Sequence, residues 1–307
     1  MSNRSWLVVC MPVLAGLSGC ATLTPSQVAA INQYADVTTH YSDYPSKVLA
    51  EFLVLRYKDR TLIASQNSDK ENPLTFKDIS KLYAQKKGES EAIQGLDIGI
   101  QTITDYATAL KKLSSPDFAR DVGANAQTLG TSLDSLTSRY NTVVKPNVGL
   151  PFIGSIVGLT LREVGGRYVG YKQTAALKRY VQAGDTLINI LTKSMEEMMA
   201  THTATYIQEL EKDVQTFNNQ LLVQLSDKTQ YERYQFASET LALVEQIDHL
   251  KKMNGQSILA LQKLRSAHNE LTDQLRQKQK LISVGKEMFG LYQAVRDLQS
   301  TYQQISH

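Results

Sequence analysis

The stretch that decides the fold is residues 174–225, TAALKRYVQAGDTLINILTKSMEEMMATHTATYIQELEKDVQTFNNQLLVQL. It contains no proline. Apolar residues recur at helical spacing, through Leu177, Val181, Leu187, Leu191, Met195 and Met198. They lead into Ile207, Leu210, Val214, Phe217, Leu221 and Leu225, in steps of three and four, the spacing of a heptad seam. A continuous helix over this stretch would be roughly 75 Å long. A kink near Thr201–Thr205 would still leave two long helices, with a turn at Ser226-Asp227-Lys228.

The same periodicity extends outward on both sides. Downstream, Tyr231, Tyr234, Leu241, Val244 and Ile247 predict a helix, and Asn254-Gly255 predicts its end. Ser257 then caps a last helix whose seam runs through Leu261, Leu264, His268, Leu271, Leu275, Ile282, Phe289, Tyr292, Leu298 and Ile305. Upstream, Ser26 caps a first helix, which Tyr44-Pro45 interrupts and which resumes to about Ser65. Residues 66–73, QNSDKENP, form a polar loop. Thr75 caps a short helix that Gly88 ends, and a new helix carries the stripe Leu96, Ile100, Ile103, Ala107 and Leu110. Ser114-Ser115-Pro116 stops it, and Phe118 to Tyr140 marks one more. After Cys20 no set of alternating strands and no fixed-period repeat occurs. The expected class is all-α, an elongated antiparallel bundle of long amphipathic helices forming a single domain over 26–307.

The N-terminus has the parts of a secretory signal: Arg4, then an apolar run from Trp6 to Leu17 that is too short to span a bilayer. It closes on Leu17-Ser18-Gly19-Cys20, which resembles the lipobox of bacterial lipoproteins. The resemblance implies that 1–19 are removed and that Cys20 becomes an acylated N-terminus, with 20–25 a short tether. Membrane lipid, through the acyl chains of Cys20, is then one partner. Ala21, where an aspartate would retain the protein at the inner membrane, implies the outer membrane and its periplasmic face in a Gram-negative host. The other cysteine, Cys10, leaves with the signal, so the mature chain is expected to have no disulfide.

The function classes narrow by composition. The 307 residues carry a formal charge of +3, with no dominating basic patch, which argues against a nucleic-acid partner. The five histidines form neither a Glu-x-x-His pair nor a His-Glu-x-x-His motif, so no metal site is expected. His268, on the last seam, reads as a residue that fixes register. Glu196, Glu197, Glu209, Glu211 and Asp213 read as a solvated helix face. No nucleophile elbow or phosphate loop occurs, and neither a catalytic residue nor a cofactor is expected.

One stretch stands apart: residues 148–161, VGLPFIGSIVGLTL, uncharged and glycine-rich. Gly154-x-x-x-Gly158, like Gly95-x-x-x-Gly99, permits close helix approach. The stretch reads either as a buried hairpin or as a tip that contacts a membrane or partner through Phe152, Ile153, Gly154, Ile156, Val157 and Gly158. In the second case Arg162, Arg167 and Lys172 would meet headgroups. An apolar head between long helices is similar to that of the α-helical pore-forming cytolysins, which implies a membrane-active protein. The leading expectation is a non-enzymatic, membrane-anchored envelope lipoprotein that binds a protein partner, of scaffold or immunity type.

Overall fold

A computed structural model describes residues 23–66, 73–115, 169–224, 229–277 and 282–305, together with Thr131, Asp134, Ser135 and Ser138. Among the described residues the structure is helical throughout, with no strand. The all-α bundle expected from periodicity is therefore what forms.

Helix α1 spans Pro25–Tyr41. Its cap is Thr24 rather than Ser26. The Thr24 hydroxyl accepts from the Gln27 amide at 3.2 Å, and the Gln27 side chain accepts from the Thr24 amide at 3.0 Å. This reciprocal box satisfies two amides at once, which a cap at Ser26 would not. Helix α2, Pro45–Gln66, begins at the predicted Tyr44-Pro45 break. Helix α3 runs from Phe76 to Ser114, capped at Thr75 by a second box with Asp78. Gly88 does not end it. Nothing lies within 4 Å of a Cβ placed there, and a glycine inside a helix costs only about 1 kcal/mol relative to alanine. The two helices expected here are one of 39 residues. Ser115 is extended (φ −74°, ψ 147°), as a residue before proline must be to avoid its ring.

The deciding stretch is helical from end to end of its described part. Helix α4 is Val169–Glu197, a π turn covers Met198–Thr203, and α5 is Ala204–Gln224. The irregularity overlaps Thr201–Thr205 and leaves two long helices on either side of it. Helix α6, Gln230–Gln277, is 48 residues long and runs through Asn254-Gly255. Asn254 does not stop it because its side chain is used elsewhere: Nδ2 donates to the Met199 carbonyl of the π turn at 3.2 Å. Ser257 is not a cap either. It is fully buried in mid-helix, and its carbonyl accepts from the Tyr41 hydroxyl at 3.2 Å. The expected last helix is thus two elements, the second half of α6 and α7 (Ile282–Ile305), packed on each other.

The pairings between helices give their directions. Along α1, Asn32 meets Ser114 and Asp36 meets Lys111, so α1 and α3 run oppositely. Along α4, Asp185 faces His268, Glu196 meets Arg265, and Met199 meets Asn254 on α6, again oppositely. Gln173 of α4 donates to the carbonyls of Leu113 and Ser115, joining the start of α4 to the end of α3. Tyr34, Tyr106, Leu110, Tyr180, Leu187, Leu261, Leu264 and Leu291 are fully buried between these helices. No helix among the described residues is long and apolar enough to cross a membrane.

Candidate functional site

Away from Ser114 and Gln173, the helices part to leave a cleft of about 770 Å³ between α2, α3, α5 and α6. The volume lies in the range of ligand-binding cavities. Val54, Ile79, Leu82, Tyr83, Phe236 and Leu243 line it. Val54 and Tyr83 are 55% and 69% exposed, so an apolar surface stands open to water. Helix α3 separates Lys86 in the cleft from Ser114 by about 40 Å along its axis.

Asp59, also lining the cleft, is only 2% exposed. It lies on the buried stripe of α2 that includes Val48, Phe52, Leu55 and Arg56. The surrounding side chains are tightly tied. Arg56 stacks on Tyr206 of α5 at 3.7 Å and reaches Glu89 of α3 at 3.4 Å. Arg60 reaches the same carboxylate at 3.5 Å and the Tyr57 hydroxyl at 3.3 Å. Phe52 stacks on the Tyr206 ring at 5.5 Å. Both arginines are thereby directed to Glu89, not to Asp59. The Asp59 Oδ1 is buried without a hydrogen-bond partner. Its carboxyl faces that of Asp213 on α5, within hydrogen-bond reach. Burial first, then the charge of Asp213, push Asp59 up to about 7, while Arg60 opposes the rise. Near neutrality Asp59 therefore exchanges a proton where most aspartates are ionised.

A second polar cluster lies inside the core. The Tyr106 hydroxyl and His268 Nε2 are 2.7 Å apart, and the Tyr106 ring stacks on Tyr180 at 5.0 Å. His268 Nδ1 stands 3.5 Å from an Asp185 oxygen, an electrostatic contact too long for a good hydrogen bond. Burial lowers the His268 pKa, with Asp185 opposing, so the ring is neutral and buried at ordinary pH. Gly184 makes room for this arrangement: a Cβ there would lie 2.2 Å from the Tyr106 ring. The cluster ties α3, α4 and α6 together.

Of the predicted residues, Cys20, Phe152, Ile153, Gly154, Ile156, Val157 and Gly158 lie outside the described residues, as does the whole of 148–161. His268 is found on the seam where it was expected, buried and bonded. Glu196, read as part of a solvated face, instead joins Arg265 at 2.8 Å and Gln262 at 2.6 Å across to α6. Gly99 is buried, and a close approach that the sequence reading did not single out occurs at Gly184. Sequence reading missed Asp59. Its signal was an acidic residue on the buried stripe, at i+7 from Phe52 and i+4 from Leu55. Among the described residues no group of three or more metal-ligating side chains converges. No family model matches the chain, and neither a curated protein nor a solved structure matches it.

Proposed function

We propose that this protein is a bacterial envelope lipoprotein, held through acylated Cys20 on the periplasmic side of the outer membrane, whose helical body captures another protein without enzymatic chemistry. The observation that carries the reading is the open apolar cleft of Val54, Ile79 and Tyr83. Its position supports the same reading. Helix α1 starts two turns before Asn32, which touches Ser114, so the start of α1 and the cleft lie toward opposite ends of α3. A partner at the cleft would be met away from the lipid.

The test is photocrosslinking in intact envelopes, with p-benzoylphenylalanine at Tyr83 and, as control, at the exposed Lys193. A discrete adduct at Tyr83 and none at Lys193 is expected. Equal labelling at both positions, or none at Tyr83, sinks the reading. A membrane-active role for 148–161 is the second reading. It is favoured by one observation: the stretch is uncharged and glycine-rich, and Arg162, Arg167 and Lys172 follow it in the sequence. Dye release from liposomes that Ile156→Asp abolishes is its expected outcome, and absence of release removes it.

A further inference from the structure

The cleft has a chemical asymmetry that its apolar walls do not explain. A buried carboxyl oxygen with no partner is costly, and a second carboxyl beside it raises the cost. Among the described residues no cation lies within ion-pair distance of Asp59, since Arg56 and Arg60 are both drawn to Glu89. Lys58 of α2, Lys86 of α3 and Glu239 of α6 also line the cleft, and Asp213 of α5 stands beside Asp59. None of them forms an ion pair with Asp59.

Resting on the protein-capture reading above, we propose that the cleft takes an apolar segment of the partner protein that presents one lysine or arginine to Asp59 and Asp213. The incoming cation displaces the proton that Asp59 holds, which leaves to solvent, and the Asp59 carboxylate pairs with the cation. The walls require an apolar carrier, because a hydrated cation alone would leave Val54, Ile79, Leu82 and Phe236 wet. A polypeptide rather than a free amine is favoured by the surface beyond the mouth. Phe76, 87% exposed, precedes Ile79 by three residues and Tyr83 by seven on the same face of α3. This apolar row continues past the cleft, and only an extended partner covers it.

The test uses the full lipidated chain in nanodiscs and short fluorescein-labelled leucine–serine peptides. One peptide carries a single central lysine and the other a glutamine in its place. The lysine peptide should bind about tenfold more tightly than the glutamine peptide at about pH 8, and lose about tenfold in affinity by about pH 6, as Asp59 regains its proton. Asp59→Asn should abolish both the preference and the pH dependence. Asp213→Asn should weaken the preference, with thermal melts confirming that each variant is folded. Equal binding of the two peptides, or a lysine preference that survives in Asp59→Asn, overturns the proposal. Displacement of the lysine peptide by equimolar n-hexylamine overturns the polypeptide part of it. The capture reading is judged separately, by the Tyr83 adduct, so the two can fail independently.

Discussion

Tyr106 satisfies three demands at once: its ring stacks on Tyr180, its hydroxyl meets His268, and its edge fills the space beside Gly184. A methyl group at Gly184 has to displace that ring, so Gly184→Ala should lower unfolding stability by about 1–3 kcal/mol in urea titration. His268→Leu leaves the buried Tyr106 hydroxyl without its partner, a loss of about 1–3 kcal/mol. Pairing it with Tyr106→Phe should recover part of that loss, which a double-mutant cycle measures. Asp59 makes a different statement. Its folded pKa is raised to about 7 from an ordinary 3.8, so the folded chain binds this proton more tightly than the unfolded one. Its contribution is therefore intact below pH 4 and is lost as pH climbs toward 7. Asp59→Asn should raise stability by roughly 2–4 kcal/mol at about pH 8 and by little at about pH 4. A melt series across that range checks the sign, and greater stabilisation at the acid end would contradict it.

At the scale of elements, what the sequence made legible was the chemistry that acts between neighbours. Thr75, Tyr44-Pro45 and Ser115-Pro116 set helix boundaries through bonds or clashes within a few residues, and each boundary falls where those residues put it. Gly88 and Asn254-Gly255 misled because a glycine's local cost is small beside the packing of a long helix. Both glycines have nothing within 4 Å of an added Cβ. Gly88→Ala and Gly255→Ala should each therefore stabilise the chain by about 0.5–1 kcal/mol, seen as a raised melting temperature. Destabilisation by either would mean that the helix is not continuous there. Gly184 and the Asp59–Asp213 pair were not legible. Each needs a residue on another helix, Tyr106 in one case and a helix far along the chain in the other, before it means anything. Nothing in a single stretch announces such meetings.

For the whole molecule, the start of α1 and the cleft lie toward opposite ends of α3, and the proposed lipid anchor would give that arrangement a direction. Cys20→Ser should move the protein from the membrane pellet to the soluble periplasmic fraction, while leaving its thermal melt unchanged. Retention in the pellet would mean that something other than acyl chains holds it. The π turn at Met198–Thr203 bears on this plan as a setting of phase. A π turn takes up one residue more than α winding would, so it fixes the angle at which everything after it faces. Regular α winding through the same six residues, with none removed, would swing α5 by about 100° about its axis. Tyr206 would turn away from Arg56, and Asp213 from Asp59. The layers around Tyr106 and His268 would stay shut while the floor of the cleft came apart. One residue's worth of winding is thus the dial that points the distal half of a long helix at its work.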